Sequence, residues 1–197
     1  MTDIIDNEDE RFYKEIFIGG EYEFGIPNKK DMIVVDIGAH SGIFSEYVYT
    51  RSKVIYAIEA DLDNFERLKN RIIEKGLKKI KPFNYGVGNS TEERNVYVHA
   101  GQGGYSITNV NDKIKSKVKG ITLRKFIEDN SIQHIDLLKI DCEGAEHEIL
   151  NDELGETISI VSSIVGELHS ESEDIIFYLE KSGFIVSRVV NSFSAQR

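Results

Sequence analysis

The sequence has no tryptophan, one cysteine, two prolines and two methionines in 197 residues. A lone Cys142 excludes an intrachain disulfide and fits a reducing compartment. No apolar run approaches the roughly 20 residues needed to cross a bilayer. The first ten residues are acidic and lack an apolar core, so they do not read as a signal peptide. Basic residues are in deficit, with 24 Lys and Arg against 34 Asp and Glu and a formal net charge of −10. That balance argues against a broad nucleic-acid surface. The basic run from Arg67 to Lys81 reads as the solvated face of a helix, its stems lying over apolar neighbours. Together these absences point to a cytoplasmic, water-soluble protein with no membrane span. A chain of 197 residues suffices for one domain with a substantial core and is too short for two of usual size.

The most informative stretch runs from Ile33 to Phe44, Ile-Val-Val-Asp-Ile-Gly-Ala-His-Ser-Gly-Ile-Phe. Its β-branched apolar start suits a strand covered on both faces, as in a parallel sheet. Gly38 and Gly42 mark a tight turn in which backbone comes close to something, followed by a helix start. A helix start offers unpaired amides to a carboxylate or phosphate. A second apolar strand, Val54 to Glu59, ends in an acid about 20 residues after the glycine turn, the spacing at which an acid meets a ribose hydroxyl in βαβ folds. The dinucleotide fingerprint asks for glycine where His40 stands, and the His40 Cβ would crowd a diphosphate. The pattern therefore suits a ligand with ribose and adenine, no phosphate chain and a small zwitterionic end. S-adenosylmethionine has that shape.

Taken in order, residues 1–30 form an N-terminal arm. Helical spacing at Phe12, Ile16 and Phe17 covers 8–17, Gly19-Gly20 ends it, Tyr22 and Phe24 alternate like a short strand, and Pro27-Asn28 is a turn. The arm either folds over the ligand or merely covers the sheet. Residues 31–197 form the main domain. Strands at 33–38 and 54–59 each lead into a helix, the second presenting Leu62, Phe65, Leu68 and Ile72 with Asp61 or Asp63 as N-cap. Ile80 to Gly88 is a third strand with a glycine turn, and Pro82 places it at an edge or at its own start. Three βα repeats point to an open, doubly wound parallel sheet with right-handed crossovers. Residues 89–121 break the rhythm as an insert. Asn95 to His99 reads as an exposed strand, Gly101 to Ser106 is flexible, and 111–119 is polar and Lys-rich, so the segment sits where a substrate lid belongs. Thr122 caps a short helix bearing Leu123, Phe126 and Ile127. Ile135 to Asp141 is a strand, Ile158 to Leu168 reads as a central strand, and Ser170 to Glu173 fits a capping box. The strand from Phe184 to Val190 leaves a short tail.

In such a sheet the ligand lies beyond the carboxyl ends of the strands. Those ends carry Asp36, Gly38 and His40; Glu59; Gly86 and Val87; Asp141 and Glu143; Glu167 and His169. An acidic mouth also suits a sulfonium. Asp36 to Phe44, Ala57-Ile58-Glu59-Ala60 and above all Leu137-Leu138-Lys139-Ile140-Asp141-Cys142-Glu143-Gly144-Ala145-Glu146 resemble the FkbM-type S-adenosylmethionine-dependent methyltransferases over roughly residues 30–170. The resemblance implies a Rossmann-like, mostly parallel seven-stranded class I sheet; this sequence departs from it in ending soon after its last clear strand, which leaves the seventh strand short (Ser192 to Gln196) or missing. It implies O-methylation of a hydroxyl on a small molecule, sugar or lipid. It also implies cofactor contacts at the turn from Asp36 through Gly38, Ala39 and His40 to Gly42, at Glu59 on the ribose with Ala60 beside it, at Gly86 and Val87 on the adenine, and around Asp141.

A hydroxyl acceptor loses its proton as it attacks, so a base belongs near the ends of the fourth and fifth strands. His169 is the first candidate because its ordinary pKa suits neutral pH, followed by Asp141 and Glu143. Glu146 is placed for a structural hydrogen bond, Lys139 to pair with Asp36 or Asp141, and Cys142 to pack as a small apolar group. His99, His134 and His147 show no partner pattern and read as surface residues. Asp141, Glu143, Glu167 and His169 are types that could converge on a divalent metal, although their spacing gives no compact ligand motif. The competing functions are an RNA methyltransferase using the Lys-rich segments, a non-catalytic S-adenosylmethionine-binding module and, after these, an NAD-dependent oxidoreductase. Acceptor identity and oligomeric state are not legible.

Overall fold

A computed structural model of the chain describes residues 7–98, 105–108, 113–169, 173–189 and 192–197. His99, Gly101 to Gly104 and the Ser170 to Ser172 part of the capping box lie outside the described residues. The arm comprises helix α1 (Asn7–Tyr13), a wide helical turn (Lys14–Ile18) and a tight turn (Glu23–Gly25). Tyr22 and Phe24 therefore do not form the expected strand. Tyr22 turns inward to 3% exposure and meets the Phe44 ring edge-on at 5.4 Å. One buried aromatic anchors the arm where an alternating pair would have needed a partner strand.

Strand β1 (Met32–Ile37) leads through the glycine turn to α2 (Ile43–Val48), and β2 (Ser52–Glu59) leads to α3 (Leu62–Glu74). Asp61 caps α3, its side chain accepting from the amides of Asp63 and Asn64. An extended cap residue that satisfies two orphan donors fixes where the helix starts, and hence the direction in which the chain leaves Glu59. The third strand, β3 (Ile80–Asn84), pairs with β2 alone and so carries Pro82 at the sheet edge.

The insert is more regular than its composition suggests. Short β4 (Gly86–Val87), β5 (Glu93–Val98), β6 (Tyr105–Ser106) and β7 (Lys113–Ile121) make a second sheet in the order β4-β7-β5-β6. The Lys-rich segment expected to be irregular is thus its longest strand. Lysines at 113, 115, 117 and 119 alternate with Ile114, Ser116 and Val118 in sequence, and a bulge at Lys115 interrupts the pairing with β5. Val118 is buried, with Val87, Val96, Ile107 and Ile121, in a core cluster shared with the main sheet. Lys115 and Lys117 are held by Asp61 and Glu93.

Helix α4 (Leu123–Asp129), capped by Thr122, precedes β8 (Leu137–Ile140), α5 (Glu146–Ile149) and β9 (Ser163–Glu167). The long apolar run expected as one strand is divided. Its first part, to Ile160, belongs to tight helical turns that begin at Asp152, Val161 makes an isolated parallel bridge to Ile135, and the continuous strand starts at Ser163. The chain closes with α6 (Glu173–Lys181), β10 (Ile185–Val189) and β11 (Ser192–Gln196). The main sheet has seven strands in the order β10-β11-β9-β8-β1-β2-β3. All neighbours are parallel except β11, which runs antiparallel between β9 and β10. The last strand is short but present. Separate apolar clusters cover the two faces, so β1 is wrapped on both sides and its end opens where the strand order reverses. No helix among the described residues is long and apolar enough to cross a membrane.

Candidate functional site

Gly38 follows β1 at φ +75°, and a Cβ there would lie 1.8 Å from the Asp141 carbonyl oxygen. Gly42, at φ +86°, has Leu68 Cδ1 2.5 Å from the same point. The close approach that the glycines permit is therefore to the end of β8 and to α3, inside the fold. Lys139, 3% exposed, donates to the Gly38 carbonyl at 2.7 Å and lies 3.5 Å from carboxylate oxygens of both Asp36 and Asp141. Burial opposes its charge, but Asp141 and Asp36 outweigh that and raise its pKa above the ordinary lysine value. Asp36 is fully buried and accepts from Ser45 at 2.7 Å, and burial pushes its carboxyl upward against Lys139 and Ser45. Lys139 thus welds the turn after β1 to the end of β8, as its expected pairing required.

Glu59 closes the other side. Its two carboxylate oxygens accept from the amides of His40 (2.7 Å) and Asp61 (2.8 Å). Asn84 donates to the Glu59 and Ala60 carbonyls, tying the end of β3 to the same corner. A cavity of about 280 Å³ opens between these strand ends. Gly38, Ala39, His40, Glu59, Ala60, Val87, Asp141, Glu143 and His169 all face it. Asp36, Gly42 and Gly86 do not. Asp36 is spent on Ser45 and Lys139, Gly42 packs on Leu68, and Gly86 lies among Val118 and Ile107.

At the acceptor end, His169 sits in a ring of carboxylates. Its Nδ1 is 3.0 Å from Glu146 Oε1, and its Nε2 is 3.4, 3.5 and 3.8 Å from oxygens of Glu167, Glu143 and Asp141. Burial disfavours the imidazolium, yet Glu146 and Glu167 raise the His169 pKa to about 11. His169 in turn lowers Glu167 to about 2. Glu146, 1% exposed, also accepts from the Cys142 amide, which is its expected structural role. Burial lifts the Cys142 thiol well above its ordinary value, consistent with packing rather than reactivity. Asp141, Glu167 and His169 each offer an atom within 4.8 Å of the others. Glu143, the fourth residue of the expected set, is not part of that group.

The arm supplies wall residues that spacing did not single out. Phe12 tilts onto the His40 ring at 4.8 Å, and Arg11, Glu15, Glu21 and Tyr22 face the cavity. The Tyr22 hydroxyl donates to Asp141 at 3.1 Å, and burial, with Asp141 beside it, raises its pKa well above normal. Asp9 of α1 accepts from Ser41, Arg67 and Arg71 at 2.5, 2.7 and 2.9 Å. Two members of the basic run read as a solvated face are therefore latch residues. His134 and His147 also have partners, each 3.0 Å from Asp136 and Asp174 respectively.

The strand order, with one antiparallel strand beside β9, is that of a Rossmann-like class I methyltransferase fold. The family model for the methyltransferase FkbM domain matches residues 36–186, and the chain belongs to that family. Methyltransferase sdnD of Sordaria araneosa is 26% identical over 89% of this chain and 82% of its own. AMB antimetabolite synthetase AmbE of Pseudomonas aeruginosa is 26% identical over 85% of this chain, which spans only 10% of that protein. Among solved structures, the FkbM methyltransferase of Methylobacillus flagellatus has a TM-score of 0.63 at 14% identity, covering 94% of this chain and 48% of that one. A precorrin-6y C5,15-methyltransferase from Geobacter metallireducens has a TM-score of 0.55 at 12% identity, covering 87% and 83%. TrmK of M. capricolum, solved with S-adenosylhomocysteine, has a TM-score of 0.54 at 12% identity, covering 87% and 63%.

Proposed function

We propose that this chain transfers a methyl group from S-adenosylmethionine to a hydroxyl of a small molecule, sugar or lipid. The observation that carries the reading is one cavity lined on one side by the Gly38 turn and Glu59, and on the other by Asp141, Glu143, Glu167 and His169. When bound, the cofactor supplies a methyl group on a positively charged sulfur. The residues present fit such a ligand. Glu59 commits two of its roughly four lone-pair sites to backbone amides, leaving acceptor capacity for a ribose diol. Phe12, Ala60, Tyr85 and Val87 give apolar wall for an adenine, and the carboxylates favour a cation.

The chain's own part is to position and to move a proton. Glu59 pins the His40 amide, and Lys139 fixes the turn relative to Asp141, so both walls keep their spacing. His169, flanked by carboxylates, stays protonated at neutral pH. Its role in this reading is to orient Asp141, Glu143 and Glu167 rather than to take a proton first. The described part of the arm, residues 7–30, serves as a cover that shapes the acceptor end. Glu59→Ala tests the reading. It removes the diol acceptor and frees two amides, so calorimetry should show S-adenosylhomocysteine affinity falling at least about tenfold. Unchanged affinity would refute the ribose assignment.

A further inference from the structure

A proton acceptor for a hydroxyl must be unpaired with cations, must not be permanently protonated, and must face the acceptor. His169 fails the second condition, and Glu146, Glu167 and Asp141 fail the first, because each lies against His169 or Lys139. Glu59 is fixed by two backbone amides at the cofactor side. Glu21 differs from all of these.

We propose that Glu21, brought from the N-terminal arm, is the general base of the methyl transfer, acting as a carboxyl pair with Glu167. The proposal rests on the methyl-to-hydroxyl reading. Glu21 lines the cavity, half-buried, directly after Gly19-Gly20 and directly before the buried Tyr22 that anchors the arm on Asp141. Its carboxyl and that of Glu167 act on each other, and the proton affinity of Glu21 is the one pushed upward. Arg11, Lys139 and His169 line the same cavity, but the groups that act most on Glu21 carry oxygen or negative charge. These are Glu15 from the preceding turn, Tyr22 beside it, Asp141 from the end of β8, Glu167 from β9, and the Ser192 hydroxyl of β11 at 3.4 Å. Among the described residues no Lys, Arg or His makes an ion pair with it. A carboxylate facing carboxylates holds a proton more strongly than its cation-paired neighbours, and pairs of groups pushed apart in this way divide acid and base roles. Burial and Glu167 raise Glu21 to about 8, between Glu167 at about 2 and His169 at about 11.

In the step, the acceptor O–H proton passes to the Glu21 carboxylate. Meanwhile the new O–C bond forms, the methyl carbon leaves sulfur, and the C–S electron pair returns to sulfur. The Glu21 proton is then lost to solvent through the open side of the cavity.

Two measurements on the full chain test this. In protein labelled with [13C]glutamate, the side-chain resonance absent from Glu21→Gln should titrate near pH 8, whereas a midpoint below about 6 would overturn the proposal. With the hydroxyl acceptor on which the wild-type protein turns over, Glu21→Gln should lower kcat at least about 100-fold, the scale of general-base loss. S-adenosylhomocysteine affinity should stay within about twofold, and Glu21→Asp should restore part of the rate. The wild-type rate should rise with pH toward a plateau above about 8. A Glu21→Gln enzyme with wild-type kcat, or a flat pH profile, overturns the assignment. If the wild-type protein methylates no hydroxyl, the methyl-to-hydroxyl reading fails separately, and the resonance titration alone decides whether Glu21 has the strength of a base.

Discussion

Replacing Lys139 by methionine removes the one buried cation that two carboxylates share at the joint between β1 and β8. The side chains are similar in length, so the cavity left is small and the effect is electrostatic. Asp36 is fully buried and keeps only its bond from Ser45, the Asp141 side chain is 23% exposed and keeps Tyr22, and the Gly38 carbonyl loses its 2.7 Å donor. Removing one partner of a buried pair costs about 3–5 kcal/mol because the other charge stays uncompensated. At about 2–4 °C per kcal/mol for a chain of this size, Tm should fall by roughly 6–20 °C. Urea unfolding should show the loss as a lower midpoint with an unchanged slope. Adding Asp36→Asn to Lys139→Met removes the stranded charge and retains a partner for Ser45, so at least half of the loss should return. A single variant within about 1 kcal/mol of wild type, or a double variant no better than the single, would refute the reasoning.

Asp9→Ala should release α1 from Arg67, Arg71 and Ser41, raising hydrogen exchange and protease cleavage within 7–20 while exchange in β1 and β8 stays protected. Equal protection in both proteins would mean that the latch does not hold the arm. His169 carries a pKa raised from 6.5 to about 11, so its contribution to stability is fully present below pH 6.5 and is lost as pH rises through 11. The stability gap between wild type and His169→Gln in urea should therefore narrow from pH 7 to pH 10.5, and a constant gap would contradict the carboxylate ring.

Much of the fold was legible because the core strands carry their own punctuation. The apolar runs ending at Ile37 and Glu59, the cap at Asp61 and the proline that confines β3 to an edge are local signals, and local chemistry decides them. The insert was misread where lysine content masked a period of two in β7, since alternation rather than polarity marks a strand. Tyr22 looked like half of a strand because a buried anchor and an alternating residue are identical over three positions. At the cavity, the residues after β1, β2 and β8 were visible as strand-ending acids and glycines. What Gly38 makes room for was not, because the Asp141 carbonyl lies more than 100 residues away in the chain. Glu21 left no trace for the same reason. Its proton affinity is raised by burial and by Glu167, which only the tertiary fold supplies.

Calorimetric titration of the purified protein with S-adenosylhomocysteine, and in parallel with NAD, tests the central claim most directly. The nucleoside without a diphosphate should bind at one site per chain with micromolar affinity or better, and NAD should give no heat. Saturation by NAD with no response to S-adenosylhomocysteine would contradict the account of the turn after β1 and everything built on it.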